Sequence, residues 1–278
     1  MFGVTALAPA QSSRSQTYRS SSQQGIWCVR RALISDVHAN LDALSEVLRD
    51  IRSQGITEIF CLGDVIGYGP NPVQCLDEVR RSCKLTILGN HDQAALFDPD
   101  GFNPTALAAI YWTRDQLENA PGNQAMINKR WDWLGELPRM HVEDGIWFVH
   151  GSPREPTNEC VFPEDVYAQR KMDALFGRIE KYCFQGHTHI PGVFTQSGEF
   201  ITPEDCNYTF RLSGDKIMVN VGSVGQPRDG NPKSCYAILT DDAVTFRRVE
   251  YDVNATAQKI YDIPDLDNSL GDRLKAGR

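Results

Sequence analysis

The chain has 278 residues and a formal net charge of −8 at pH 7, which counts against a general nucleic-acid or anionic-membrane binder because such proteins need a basic surface. Hydrophobic residues make up 41% of the chain and charged residues 23%, as in an ordinary globular protein with a sizeable core. A small phosphorylated substrate stays compatible with the acidic balance, because bound metal ions supply local positive charge.

The first 26 residues are predicted to be a disordered tail. Residues 11–24 are rich in Ser, Gln and Arg, and the first acidic residue of the chain is Asp36. A basic, Ser-rich leader is also typical of targeting peptides. No positive charge precedes the short apolar run 2–10, however, and a disordered tail is favoured.

Eight cysteines are scattered along the chain without a CxxC pair. This usage favours reduced core thiols in a cytoplasmic protein over a secreted disulfide framework. No apolar run reaches the ~18 residues that are needed to span a bilayer.

Strands and helices alternate in the first third of the chain. The run 27–34 predicts a strand, and Asn40 is a good N-cap for a following helix that ends near Gly55. Further signals predict a strand at 57–62, a helix at 72–82 and a strand at 84–88. This order predicts a parallel, doubly wound sheet, in which ligands gather outside the carboxyl ends of the strands.

The second half of the chain is rich in strands. A helical middle section is predicted over 103–137 and a further helix over 164–175. Strands are predicted at 146–149, 182–185, 192–195, 208–212, 216–221, 234–239 and 244–251. These strands predict a second sheet packed on the first, within one domain over 27–253. The segment 254–278 is predicted to be a helix followed by a polar, loosely held end from residue 267.

Metal-capable side chains follow the predicted strands. Of the six histidines, all but His141 fall beside Gly, Asp or Asn at a predicted strand end, which is unusual for core histidines. Residues i and i+2 of an extended backbone point the same way, so Asp36 and His38 can hold one ion. The strand-end set consists of Asp36, His38, Asp64, Asn90, His91, His150, His187 and His189.

This donor set indicates a centre with two divalent metal ions. Carboxylate, imidazole and amide oxygen together suit borderline ions, with manganese the first candidate and iron, zinc, nickel and cobalt the alternatives. The set has too few carboxylates for a calcium cage and more ligands than one tetrahedral zinc takes. Two cations ~3.5–4 Å apart need a shared carboxylate between them, and a bridging water becomes hydroxide near neutral pH.

Five motifs in this order resemble those of the calcineurin-like metallophosphoesterases. They are Asp-Val-His at 36–38, Gly-Asp at 63–64, Gly-Asn-His-Asp at 89–92, His-Gly at 150–151 and Gly-His-Thr-His at 186–189. The resemblance covers residues 30 to 250 and implies an α/β fold, a two-layered β-sandwich flanked by helices in four αββα layers. It also implies hydrolysis of phosphomonoester or phosphodiester bonds, in which the metal-bridging hydroxide attacks phosphorus in line.

The resemblance assigns roles to the strand-end residues. The ligands of one metal ion would be Asp36, His38 and His189. The ligands of the other would be Asn90, His150 and His187, with Asp64 as the bridge. His91 would face the substrate phosphate, stabilising developing charge or protonating the leaving oxygen. Asp92 could orient His91 or be a surface carboxylate without such a role.

The chain departs from the protein serine/threonine phosphatases. In those relatives the second motif continues to a phosphate-binding Asp-Arg-Gly, whereas Tyr68 stands at the Arg position here. The departure puts a protein-phosphatase assignment in doubt. The loops at 67–70, 151–154 and 220–229 are more similar to the small bacterial-type phosphoesterase branch.

Three further residues in these loops are candidates for substrate binding. Arg154 and Arg228 could each clamp a phosphate, although both could also be exposed, solvated arginines, and Asn220 could reach the same pocket. The expected partner is a small phosphorylated substrate, with neither nucleic acid nor membrane, while the oligomeric state stays open. The alternative functions are a non-catalytic binding or scaffold protein on the same fold and a nuclease.

Overall fold

The computed structural model describes residues 1–3 and 30–278, whose strands form two six-stranded sheets. The first sheet has the order β3 (Leu85–Thr86), β2 (Glu58–Cys61), β1 (Arg31–Ile34), β11 (Ser234–Leu239), β12 (Ala243–Val249) and β9 (Thr209–Arg211). The second has the order β4 (Met140–Glu143), β5 (Ile146–Val149), β6 (Tyr182–Gln185), β10 (Ile217–Asn220), β7 (Gly192–Thr195) and β8 (Phe200–Ile201). The predicted tail and the start of the predicted strand 27–34 lie largely outside the described residues.

Helices flank both sheets. They are α1 (Leu41–Ser53), α2 (Pro72–Ser82), α3 (Asn90–Leu96), α4 (Pro104–Glu118), α5 (Gln124–Gly135), α6 (Gln169–Phe176), α7 (Val253–Tyr261) and α8 (Ser269–Ala276). The predicted helix 72–82 is confirmed as α2, and the helical section 103–137 contains α4 and α5. The predicted helix 164–175 begins as a short 3₁₀ helix, Pro163–Tyr167, before α6. Within 1–3 and 30–278, no helix has the length and apolar character that crossing a membrane requires.

The side chains of β1 show how the layers form. Ala32 and Ile34 point to one face of the first sheet and join the core beneath α1 and α2, whereas Leu33 points to the other face. Leu33 belongs to a core filled from both sheets, which includes Phe60, Phe148, Phe184, Val219 and Phe246. The outer face of the second sheet packs against α6 through Met172, Leu175 and Phe176. The predicted four-layer αββα sandwich is therefore confirmed.

The parallel strand pairs set the position of the functional residues. In the first sheet β1 pairs in parallel with β2, and β2 with β3. In the second sheet β5 and β10 each pair in parallel with β6. The loops that follow the carboxyl ends of these strands meet at one end of the sandwich, where the backbone N–H of His38 donates to the carbonyl of Asp64 over 2.9 Å.

The prediction of a loosely held polar end is wrong. Residues Ser269–Ala276 form the helix α8, and Leu270 and Leu274 on it are buried. They are four residues apart, so they share one face of the helix, and Leu266, which precedes the helix, joins the same core cluster. This face packs against Tyr68 and Ile260. The composition of this segment does not show the spacing of its leucines, because the segment also contains many charged residues.

The opposite end of the sandwich, where β1 begins, is held together by a buried arginine. Arg31 forms ion pairs with Glu58 of the first sheet over 2.6 Å and with Glu143 of the second sheet over 2.5 Å. Its guanidinium also lies 4.0 Å from the centroid of the Phe60 ring, a favourable cation–π geometry. One cation therefore joins the two sheets and has a partner on each.

Candidate metal centre

The structure brings all seven predicted metal ligands together in one cluster. Asp36 and His38 follow β1, Asp64 follows β2, and Asn90 opens α3 after β3. His150 follows β5, and His187 and His189 follow β6. The cluster contains three overlapping groups of residues, and within each group the potential ligand atoms lie within 4.8 Å of one another. The groups are Asp36/His38/His189, His38/Asp64/His91 and Asp64/His150/His187.

Most of these residues adopt an unusual backbone conformation. The φ angles are 54° for Asp36, 46° for His38, 53° for Asp64, 66° for His187 and 62° for His189. A residue other than Gly in this left-handed region costs about 1–2 kcal/mol. Such strain concentrates at functional sites, where the surrounding structure holds a side chain in an orientation that a relaxed backbone would not give.

Glycines permit the close packing of the ligand loops. A methyl group on Gly89 would overlap the carboxylate and backbone nitrogen of Asp64, and one on Gly186 would overlap the carboxylate of Asp36. The glycines that precede Asn90 and His187 in sequence are therefore required by the approach of neighbouring loops.

The first ligand group consists of Asp36, His38 and His189. The Nε2 atoms of His38 and His189 are 3.2 Å apart, and the Asp36 Oδ1 atom is 3.2 Å from the His189 Nε2 atom. The outer ring nitrogens are held by the backbone, because His38 Nδ1 lies 3.3 Å from the carbonyl of Ile66 and His189 Nδ1 lies 2.5 Å from that of Gln226. These contacts orient both Nε2 atoms towards the centre.

The second ligand group consists of Asn90, His150 and His187. The His150 Nε2 atom lies 3.1 Å from the Asn90 Oδ1 atom and 3.1 Å from the His187 Nδ1 atom. Backbone carbonyls again hold the outer nitrogens, with His150 Nδ1 2.8 Å from Leu62 O and His187 Nε2 3.1 Å from Asn158 O. His187 is thus turned the opposite way from the other three ligand histidines.

Asp64 lies between the two groups. Its Oδ2 atom is 3.5 Å from His38 Nε2 of the first group and 3.4 Å from His150 Nε2 of the second. Its other oxygen, Oδ1, accepts a hydrogen bond of 2.8 Å from the backbone N–H of His91. Burial would raise the pKa of Asp64, but neighbouring positive charge, that of His150 first, holds it well below its usual range.

The hydrogen bonds of the histidines show that the cluster fits bound cations. A neutral imidazole has one N–H donor and one acceptor nitrogen. Because the outer nitrogens of His38 and His189 donate to carbonyls, their inner nitrogens are both acceptors. Acceptors that face each other at 3.2 Å repel unless a cation lies between them. Outer nitrogens held by carbonyls are also typical of metal-ligating histidines.

The charges of the groups agree with this interpretation. Burial lowers the pKa of His38, His187 and His189, that of His187 to about 4. Protons therefore do not relieve the repulsion in the first group. Burial opposes protonation of His150 as well, but the charge of Asp64 raises its pKa to about 9. The shared carboxylate thus attracts positive charge into the space between the ligands.

A family model described as the calcineurin-like phosphoesterase superfamily domain matches residues 29–243. The chain belongs to this superfamily. It is a hydrolase that acts on phosphoric esters and binds divalent metal. The resemblance that the five strand-end motifs predict is confirmed.

Known proteins of similar sequence and fold agree with the family assignment. An uncharacterized protein of Methanocaldococcus jannaschii is 38% identical over 257 residues, which are 89% of this chain and 98% of that protein. The crystal structure of a metallophosphoesterase from Sphaerobacter thermophilus matches with a TM-score of 0.74 and 34% identity, over 90% of this chain and 100% of that one. A symmetrical bis(5'-nucleosyl)-tetraphosphatase of Methylobacillus flagellatus is 28% identical over 120 residues, 42% of this chain and 41% of that enzyme.

A cavity of about 510 Å³ opens onto the metal centre of this phosphoesterase. The centre contributes Asp64, Asn90, His187 and His189 to its lining. The lining also includes the loop 98–103, Gln93 and Asn158. Nothing in the sequence marks that loop as functional, because it has no motif and reaches the centre only through the packing of α3 and α4.

His91 lies beside the phosphoesterase centre and faces the cavity. Its ring packs against Tyr68 in a tilted and Phe102 in an edge-to-face arrangement, with centroids 4.4 and 5.0 Å away. Its Nδ1 atom is buried without a hydrogen-bond partner in the described part of the chain, unlike the outer nitrogens of the four ligand histidines. Burial lowers the pKa of His91 to about 4. The difference in anchoring separates His91 from the ligand histidines.

Asp92 does not contact the His91 ring, and the predicted orienting contact is absent from the described structure. Instead the Asp92 Oδ1 atom accepts hydrogen bonds from the backbone N–H groups of Val65 and Ile66, at 3.0 and 3.2 Å. Its Oδ2 atom accepts one from Gly89 over 3.1 Å. As the third residue of α3, Asp92 points back past the start of the helix. It fastens the loop after Asp64 to the loop that carries Asn90.

The three predicted substrate-binding residues have different positions. Arg228 lines the cavity together with His189, whereas Arg154 and Asn220 do not. The Arg154 guanidinium is bound to Glu159. Asn220 is fully buried, and its amide donates to the Gly186 carbonyl over 2.6 Å. Asn220 therefore supports the loop that carries His187, and closeness in sequence to a site loop is a poor guide to side-chain direction.

Proposed function

We propose that the chain is a two-metal phosphoesterase that hydrolyses phosphomonoester or phosphodiester bonds of a small phosphorylated substrate. The observation that supports two ions is the position of Asp64. A carboxylate oxygen 3.5 Å from one ligand group and 3.4 Å from the other is suited to neutralise two cations that would otherwise repel.

Each residue of the site has a distinct task in this proposal. One ion is held by Asp36, His38 and His189 and the other by Asn90, His150 and His187. Divalent ions so bound lower the pKa of water and neutralise phosphoryl oxygens. The chain's own contribution is to fix the ligands, through strained backbone and carbonyl-anchored imidazoles, before the substrate arrives.

His91 and Arg228 are the groups that the proposal assigns to the substrate. Both line the cavity next to the ligands. A neutral imidazole donates one hydrogen bond, so His91 can stabilise a phosphoryl oxygen, while protonation of the leaving oxygen requires its imidazolium form. The Arg228 guanidinium can bind a phosphoryl oxygen with a fixed geometry.

The cavity supports a small substrate. Its volume of about 510 Å³ is in the range of small-molecule sites. Its lining includes Asp98, Asp100 and one arginine, Arg228, and not the row of basic side chains that binds a nucleic-acid backbone. The nuclease alternative therefore has no support from this lining.

The test is a phosphoester panel with purified protein loaded separately with Mn, Ni, Zn and Mg. The panel contains monoesters, diesters and, because of the tetraphosphatase relative, a dinucleoside tetraphosphate. We expect turnover of small esters, with manganese the most effective ion, and two ions per chain by elemental analysis. Metal-loaded protein that hydrolyses no ester would support the scaffold alternative. Salt-sensitive DNA binding would support the nuclease.

A further inference from the structure

Gln226 connects the metal centre to two arginines. Its backbone carbonyl accepts from Nδ1 of the ligand His189 over 2.5 Å. Its side-chain Oε1 atom accepts from Arg228 over 3.1 Å and from Arg273 over 3.4 Å. Gln226 itself is 1% exposed, so the acceptor in these contacts is shielded from water, while the two arginines are partly buried. Arg273 belongs to α8, the helix that composition alone assigns to a loose tail.

Neither guanidinium group is paired with an Asp or Glu side chain in the described part of the chain. The buried Arg31 and Arg130 have such partners among residues 1–3 and 30–278, whereas Arg228 and Arg273, which are partly buried, do not, and Arg273 Nε donates instead to the main-chain oxygen of Arg278 over 3.2 Å. The Nε atom of Arg228 is buried without a hydrogen-bond partner among the described residues. Segment 4–29 contains no Asp or Glu that could supply one. Two like charges share one neutral acceptor in an acidic protein.

Tyr68 joins the same cluster. The guanidinium carbons of Arg228 and Arg273 lie 6.0 and 5.4 Å from the centroid of its ring. The ring also packs against His91, tilted, with a centroid distance of 4.4 Å. Arg273 is therefore one contact away from both substrate-facing groups, through Gln226 to Arg228 and through Tyr68 to His91.

We propose that Arg273 is a positioning residue, which holds Gln226 and Tyr68 so that the Arg228 guanidinium faces the cavity as a binding group for phosphate oxygens. This inference rests on the proposed phosphoesterase function. Arg273 occupies one side of the Gln226 acceptor, and its charge repels Arg228 towards the open cavity. Docking of α8 thereby sets the affinity of the site for anions.

A phosphate oxyanion supplies the negative charge that the pair lacks. Burial, with a smaller effect of the Arg228 charge, lowers the pKa of Arg273, as expected for a cation without an anionic partner. An anion at Arg228 would relieve the repulsion between the two groups. The geometry thus favours phosphate-bearing ligands over neutral analogues of the same shape.

The test measures the binding of inorganic phosphate to metal-loaded protein by calorimetry, with KM and kcat for a small phosphoester as second readouts. We expect Arg273→Ala to weaken phosphate binding and raise KM by about tenfold, the effect typical of one charge-assisted contact. We also expect kcat to change less than about twofold, with the metal content unchanged. Arg273→Lys should recover part of the affinity. Lys275→Ala is the control, because Lys275 is exposed on the same helix over Tyr261.

A double variant separates positioning from general structure. If Arg273 acts through Arg228, then Arg273→Ala has no further effect on phosphate affinity in an Arg228→Ala background. An equal loss in both backgrounds would overturn the inference, as would unchanged phosphate binding in the single variant. Thermal melting of each variant identifies a folding defect. Wild-type protein that binds phosphate but hydrolyses no ester would contradict the proposed function and leave this test of Arg273 valid.

Discussion

The two ends of the sandwich bury similar chemical groups in opposite ways. At the end where β1 begins, Arg31 lies between Glu58 and Glu143 and above Phe60, so each charge has a partner within the chain. At the other end, the acceptor nitrogens of His38 and His189 face each other at 3.2 Å beside Asp36 and Asp64. A polar cluster whose groups are all paired stabilises the fold, whereas acceptors that face each other without a donor need a cation from outside the chain.

The contrast is sharpest in the backbone. The metal end requires left-handed φ angles at five ligands, whereas Arg31, Glu58 and Glu143 lie in regular strands. Substitutions at the Arg31 end, called the paired end below, should therefore lower only the stability of the protein. Changes at the metal end should affect function first.

The largest effect is expected from Asp64→Asn. The amide keeps the shape and the hydrogen bond from the His91 N–H but removes the shared charge, so both ions should be lost and turnover with them. Elemental analysis and the ester panel measure the two losses together. An Asp64→Asn protein that still binds two ions per chain would show that the Asp64 carboxylate is not needed to hold the two ions together.

A large effect on rate alone is expected from His91→Ala. Turnover should fall by ~10²-fold or more, the usual contribution of an acid–base group, while two ions stay bound because the ligand histidines are untouched. Matched metal and kcat measurements on the same preparations check this. Full activity of the variant would exclude His91 from the mechanism.

The paired end should show the reverse behaviour. Arg31→Met keeps the apolar stem on Phe60 but leaves Glu58 and Glu143 without their shared cation. We expect the free energy of unfolding in urea to fall by about 2 kcal/mol, with metal content and kcat unchanged. A loss of metal in this variant would show that the two ends are not independent.

The smallest effect is expected when the pH is lowered and the stability of wild type is compared with that of Arg31→Met. Burial raises the pKa of Glu58 and of Glu143, but their pairing partners lower both pKa values further than burial raises them. The partners of Glu58 are Lys84 and Arg31, and those of Glu143 are His141 and Arg31. A carboxylate whose pKa is lower in the folded state adds stability above its ordinary value of 4.5, and that stability is lost as pH falls below it. The stability difference between wild type and Arg31→Met should therefore narrow below that pH in urea titrations. A constant difference would contradict the pairing.

Much of the centre could be predicted from the sequence, because parallel strands fix where their ends meet. Once 31–34 and 58–61 are neighbours in parallel, Asp36 and Asp64 must be close, whatever the loops do. The role of Asp92 could not be predicted, since its side chain turns back to backbone N–H groups. Arg273 could not be found either, because it is far from every motif and reaches the site by long-range packing.

The left-handed ligands have a consequence for the evolution of this protein. At about 1 kcal/mol each, five such residues oppose folding by about 5 kcal/mol, which is comparable with the net stability of a whole domain. Glycine at any one of them would relax the chain and remove a ligand in one step. A laboratory selection for heat resistance alone should therefore enrich inactive variants, and a search for stable, working descendants has to select for turnover at every round.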